Sequence, residues 1–365
     1  MGLFNRTKKV DIFFVGSEGT EIDRGIYSFY IDINTGEIFK RKFTKAQASP
    51  LSMHKHGRWM YITYRNGSGN QVDGGIWQYA CMDLQLGLAA RVSHEGHTFF
   101  STAVDGDRKY LYGVDYYNGE VVKSPIKKSK VVNIKVVDEL KGKGVDPIKQ
   151  TESHPTFVCV TPQNKILVTD MGGDEVILYD QGENGALIKD EECSFKVKDG
   201  SGPRKVVYSS RGHHAYMINE ISSMINVYKI NDGKYELIQE QLSYKEDECK
   251  HENTPTDIIL SENGKYLFVS NKGDDTVVVF AVNEDGTIKR IDCMETDAGP
   301  IAMLIFKDRW LVVASKQSGT IESFEIREGE RNGVLYETHS AFSLHQPVCM
   351  EKGAENQSVV MNMFN

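Results

Sequence analysis

The sequence predicts an all-β fold, a seven-bladed β-propeller of four-stranded antiparallel blades, closed by pairing of N- and C-terminal strands in one blade. Three observations carry this expectation. A unit of about fifty residues, rich in Val, Ile, Tyr and Phe and punctuated by Asn-Gly and Gly-Asp, recurs along the chain. Prolines mark the same place in most copies, and the two ends of the chain each hold part of a unit.

The template is NTPTDIILSENGKYLFVSNKGDDTVVVF, residues 253–280. It reads as an X-Pro start, a β run over 257–260, a turn, a second run over 266–270, a polar hinge over 271–275 and a third run over 276–280. A fourth strand follows the NEDG turn, around 287–291. Four antiparallel strands in such a length make one propeller blade. Other copies begin at Ser49, Gly96, His154, Gly202 and Gly299. Pro50, Pro155, Pro203, Pro255, Pro300 and Pro347 lead six units and His97 stands at that place in the remaining one, with spacings of 47, 58, 48, 52, 45 and 47. That makes seven blades in a single domain over residues 1–365.

Behind Pro347 only VCMEKGAENQSVVMNMF remains, enough for two strands, while IFFVGSEGT and RGIYSFYIDINTGEI near the start look like later strands of a blade. The termini are therefore expected to build one blade together, which removes the exposed edge of an open array. Trp59, Trp77 and Trp310 sit in strand runs and read as packing between blades.

Hydrophobic content of 40% and charged content of 26% suit a globular chain. A net charge of −8 argues against nucleic acid or an anionic membrane as partner, because backbone binding needs a positive field. The first residues have too short an apolar run for a secretory signal. Six cysteines, at 81, 159, 193, 249, 293 and 349, show no metal or redox spacing and read as reduced thiols of a cytoplasmic protein. Cys249 and His251 lie two apart, but with no second ligand pair the segment reads as a solvated loop, so no metal is expected. Residues 129–151 and 243–253 lengthen two connections and are expected to rise over one face, where extra loop length often accompanies a binding site.

In a four-stranded meander the start of the first strand and the end of the second share a face. The leading positions and the hinges after the second strands therefore converge on one mouth of the central channel, the expected pocket. The leading positions supply His97, His154, Arg204, Lys205 and Asp257, and the hinges supply Asp115, Asp170, Asn219, Glu220, Asn271 and Lys272. Asp115, Asp170, Asn219 and Asn271 recur in register, and such residues cap turns, a role that competes with substrate contact. His154, Arg204, Glu220 and Lys272 do not recur. Half-buried charge at a channel mouth needs a partner or a ligand.

The run GSGPRKVVYSSRGHHAYMINEISSMINVYKI, followed by NTPTDIILSENGKYLFVSNKGDDTVVVF, resembles the propeller-type lactonase family of cycloisomerase-like 6-phosphogluconolactonases and carboxy-muconate cyclases. SHPTFVCVTPQNKILVTDMGGDEVILYD and KKVDIFFVGSEGTEIDRGIYSFYIDINTGEI extend the resemblance over nearly the whole chain. It implies a cofactor-free lactonase whose active-site His, Arg and Glu fall on His154, Arg204 and Glu220, with the basic hinge residue at Lys272. Lactone opening needs a base to activate water, Glu220 or His154, worth about 10² to 10⁴ in rate. It also needs donors on the oxyanion, Arg204 and Lys272, each worth about 3 kcal/mol. Lys205, Asn271, Asn219, Asp170, Asp115, His97 and Asp257 complete the expected substrate contacts. The sequence departs from the family pattern at Lys272, where Arg is usual, at Asp274, where His is usual, and at Ile301, where Arg is frequent. A lysine lacks the bidentate grip of an arginine on phosphate or carboxylate. A lyase or cyclase on a related carbohydrate or carboxylate, or a non-catalytic interaction platform, remain the alternatives on the same fold.

Overall fold

The computed structural model describes residues 6–68, 71–245, 252–328 and 333–361. Seven antiparallel sheets stand side by side in a closed ring. Blade one comprises Ser49–His56, Trp59–Ser68, Gln71–Met82 and Gln85–Glu95, in order from the axis outward. Blades two to six repeat the pattern behind the inner strands Phe99–Val104, Pro155–Val160, Pro203–Tyr208, Thr254–Leu260 and Pro300–Phe306. The template blade, blade five, runs Thr254–Leu260, Tyr266–Lys272, Thr276–Val282 and Ile288–Glu295.

Blade seven takes its inner strand, Pro347–Lys352, from the end of the chain and Arg6–Ser17, Gly25–Asp32 and Ile38–Lys45 from the start. Val15 lies opposite Met350 and Phe13 opposite Lys352, so the termini close the ring as the sequence predicts. Gln357–Met361 pairs with the earlier part of the same N-terminal strand.

Each sheet is covered on both faces by its neighbours, which is why second strands such as Trp310–Ser315 are buried throughout. The core is consequently divided into clusters, each spanning two adjacent blades. Phe13 and Phe29 of blade seven meet Phe306 and Trp310 of blade six, and Trp310 Nε1 donates to the Ile33 carbonyl across the interface at 2.9 Å. Trp77 stacks on Tyr64 at 4.4 Å against blade seven, and Trp59 receives Arg108 of blade two over its ring at 5.1 Å. The three tryptophans pack between blades, as read.

Two expectations need correction. His97 does not hold the place of the leading prolines. Phe99 does, since it lies opposite Asp115 as Pro155 lies opposite Asp170 and Pro203 opposite Asn219. The aromatic ring substitutes for proline at that place, and the Gly-His pair before it belongs to the incoming link. Residues 129–151 are only partly a loop, because Lys130–Val131 and Lys135–Glu139 form the outer edge of blade two. The excursion is confined to residues 140–152. Cys249 and His251 lie outside the described residues. Cys81, Cys159, Cys193 and Cys349 are free thiols. Among the described residues no helix is long and apolar enough to cross a membrane.

The inner strand of blade one carries a histidine suited only to its neutral form. His54 Nε2 is closed off from solvent without a hydrogen-bond partner, and burial, helped by His56, pushes its pKa down to about 4. The unfolded chain takes up this proton near 6.5, so the stabilisation is complete above that pH and is lost as pH falls toward 4. The loss amounts to about 3 kcal/mol. Chemical denaturation of wild type and His54→Gln at pH 7 and pH 4.5 is expected to show a smaller acid loss in the variant; equal losses would remove His54 as a cause.

Candidate active site

In all seven blades the register between first and second strands slips immediately after the leading residue. Such a bulge re-aims one side chain. The residues released are Leu51, Phe100, Thr156, Arg204, Thr256, Ile301 and Val348, and of these seven Arg204 alone is charged. Several reach sideways to the next blade. Thr156 Oγ1 lies 3.0 Å from the Pro203 carbonyl, Arg204 Nε donates to the Thr256 carbonyl at 3.0 Å, and Thr256 Oγ1 donates to that of Pro300 at 2.7 Å. This belt holds the arginine by one nitrogen and leaves its terminal nitrogens for other partners.

One of them, Nη1, donates to Glu220 Oε2. Glu220 stands at the hinge after the second strand of the same blade, its backbone N–H bonded to the Gly202 carbonyl at 2.7 Å. Its other oxygen faces Lys149 Nζ at 3.9 Å. Lys149 comes from the 140–152 excursion, a loop built around Gln150, which is fully buried. Gln150 Nε2 donates to the Met171 carbonyl at 2.8 Å, and its Oε1 accepts the N–H groups of Val145 and Asp146 at 3.1 and 3.0 Å. The loop therefore presents its lysine from a braced backbone.

His154 sits on the adjoining blade. Its N–H donates to Asp170 Oδ1 at 2.7 Å, and Gly172 N–H shares that oxygen at 3.1 Å. A Cβ on Gly172 would stand 1.8 Å from the Glu152 carbonyl oxygen, so only glycine lets the hinge fold this close. His154 Nδ1 lies 2.9 Å from the Tyr116 carbonyl. A carbonyl only accepts, so Nδ1 carries the proton and the neutral ring presents a lone pair at Nε2. The ring also stacks on Tyr116 at 4.5 Å and 12°, and Phe100 stacks on the same tyrosine at 4.7 Å. Burial, with the Glu220 carboxylate next, pushes the Tyr116 phenol up to about 12 and keeps it a donor. Tyr116 thus contacts His154 and lies within the field of the Arg204 and Glu220 pair.

The other expected residues fall elsewhere. Lys205 and Asp257 neutralise each other across blades four and five at 2.5 Å, and Asp257 Oδ2 accepts the Met303 N–H at 2.8 Å. Asp115, Asp170, Asn219 and Asn271 are buried, and most of their bonds serve the hinges: Asp115 accepts the N–H groups of Thr98 and Tyr117, and Asn271 Nδ2 donates to the Ser243 carbonyl. That is the turn-capping role. His97 faces Asp115 and Glu120. Lys272 is exposed and lines a cavity of about 540 Å³ with Lys316, Gln317 and His345, in the sector of blades five to seven. Lys316 in turn pairs with Glu18 at 2.7 Å. Tyr116, which follows the hinge residue Asp115, and Lys149 were not among the expected site residues; loop length was the one signal that pointed toward the lysine.

The family described as lactonase, 7-bladed beta-propeller, matches residues 12–352. A 6-phosphogluconolactonase of Bacillus subtilis is 24% identical over 351 residues, spanning 93% of this chain and 97% of the relative. The crystal structure of a Lactobacillus plantarum protein superposes with a TM-score of 0.84 at 22% identity, covering 94% of this chain and all of that one. The periplasmic gluconolactonase of Pseudomonas aeruginosa superposes with a TM-score of 0.82 at 20% identity, covering 96% and 100%. At those identities the two structures show a shared fold.

Proposed function

Since the chain belongs to the lactonase family of seven-bladed β-propellers, we propose that it hydrolyses a sugar-acid lactone of the 6-phosphogluconolactone class at the mouth formed by His154, Tyr116, Arg204 and Glu220. The observation that carries this reading is the fixed tautomer of His154. Its Nδ1–H is committed to the Tyr116 carbonyl, so Nε2 is the basic atom turned to other partners.

In this scheme Nε2 takes a proton from water as the oxygen attacks the lactone carbonyl carbon. The carbonyl electrons move onto oxygen, and Arg204 with the Tyr116 hydroxyl stabilises that oxyanion. Collapse restores the carbonyl and breaks the ring C–O bond. The departing alkoxide takes the proton from His154, giving the open hydroxy acid. Glu220, already engaged by Arg204 and facing Lys149, orients the cations and is the second candidate for proton transfer. Lys272 and Lys316 are suited to hold an anionic group at the far end of the substrate, as point charges. We place the protein in the cytoplasm on the scattered cysteine spacing of its sequence.

A panel of phosphorylated and free aldonolactones tests the reading. Turnover of at least one lactone by the wild type, lost in Glu220→Gln and Arg204→Ala, is expected. A folded wild type inert on the whole panel would leave the interaction platform in its place. Lys149→Ala is expected to raise KM for anionic lactones by about threefold to tenfold, as for one partly exposed ion contact, with little change in kcat. Equal effects on charged and neutral lactones would assign Lys149 to loop structure.

A further inference from the structure

Away from His154, at the junction of blades one and two, three ligating side chains converge. His97 Nδ1 lies 3.1 Å from Asp115 Oδ2 and 3.0 Å from Glu120 Oε2, and one ligand atom from each of the three lies within 4.8 Å of the others. Asp115 is fully buried, and the side chains of His97 and Glu120 are each 15% exposed. His94 packs edge-on against His97, ring centres 3.8 Å apart.

The cluster is not satisfied by its own hydrogen bonds. Asp115 is served by Thr98 N–H at 2.9 Å, by Asn118 Nδ2 at 2.9 Å and by the His97 ring. Glu120 Oε2 is closed off from solvent and receives no hydrogen bond, although His97 stands beside it, because the ring nitrogen is aligned with Asp115. An ionised carboxylate oxygen in that condition is costly unless a cation reaches it.

We propose that His97, Asp115 and Glu120 bind a divalent transition-metal ion of the zinc class. Separations of 3.0 and 3.1 Å between ligand atoms suit the edges of a polyhedron whose metal–ligand bonds are about 2.0–2.2 Å. One imidazole and two carboxylates favour such an ion over calcium or magnesium, which prefer all-oxygen sets. His94 or water would complete the coordination. The ion would hold the end of blade one's last strand to the hinge of blade two. Asp115 immediately precedes Tyr116, whose carbonyl fixes His154, so the bound ion would steady the proposed base without touching substrate.

The test uses the full chain, stripped with EDTA, dialysed and titrated with Zn²⁺ by calorimetry, with metal content measured by mass spectrometry. One equivalent bound per chain with micromolar or tighter affinity is expected, together with a higher thermal midpoint. Glu120→Gln, which keeps shape and removes charge, should weaken binding at least tenfold. His97→Ala should abolish it, and Glu220→Gln should leave it unchanged. Absence of saturable Zn²⁺ binding by the folded wild type would overturn the proposal, as would binding that Glu120→Gln and His97→Ala both retain. Because the readout is binding, it stands or fails independently of any lactone turnover.

Discussion

Replacing His154 by asparagine is expected to lower kcat on a lactone substrate by about 10² to 10⁴, the range of a lost general base, with the fold intact. The choice of asparagine follows from the geometry. The backbone N–H of residue 154 bonds to Asp170 whatever the side chain, and an asparagine amide occupies the place of Nδ1, so it can still donate to the Tyr116 carbonyl. What disappears is Nε2. His154→Gln carries its amide nearer the Nε2 position but holds no basic lone pair there, so it should be equally poor. Both variants also reduce the stack on Tyr116. Arg204→Ala, by contrast, acts on the oxyanion and on Glu220 at once, and should cost about 10² to 10³. A His154→Asn enzyme within about threefold of wild type would move the base to Glu220 and discard the scheme drawn above. Far-UV circular dichroism and the thermal midpoint are the controls.

Much of this architecture was legible because a propeller writes itself as repetition. The leading prolines and the β runs of residues 253–280 fall within a few positions of the observed strands, and the split blade followed from counting what each terminus lacked. Pairing of Arg204 with Glu220 was also accessible, since residues that break the register of a repeat stand out against it. What sequence did not show depends on geometry without periodicity. The bulge behind each leading residue, which turns Arg204 toward the next blade, is a local slip that leaves no signature in composition. His97 was misplaced by two positions because Phe99 does the work of a proline without resembling one. Glu120 was overlooked since its partners come from different strand ends, not from a ligand spacing. Asp115 and Asn271 recur because hinges need caps, and recurrence alone could not separate capping from binding.

Closure of the ring sets the largest effect on stability. A chain ending at Leu344 is expected to lose cooperative unfolding altogether. It removes the inner strand Pro347–Lys352, and with it the partner of Phe13 to Ser17 in blade seven. Met350, which belongs to the cluster shared by blades six and seven, goes as well, leaving Phe13, Val15 and Phe306 short of neighbours. Burial of Met350 is worth about 2–3 kcal/mol and each ladder hydrogen bond about 1 kcal/mol. The total is of the same order as the roughly 5–15 kcal/mol that holds a typical folded protein together. Propeller blades lean on both neighbours, so a gap between blades six and one also leaves an unpaired edge open to association. A chain ending at Asn356 is the sharper comparison. It keeps the inner strand and gives up residues 357–365, and with them the pairing of Gln357–Met361 with Arg6 to Val10, at the end of the strand where Thr7 and Lys9 are already exposed. Its thermal midpoint should fall by a few degrees while the transition stays sharp. If the Leu344 chain melted as sharply and as high as the Asn356 chain, the terminal strand would be an ornament, and the ring would be held by its other interfaces.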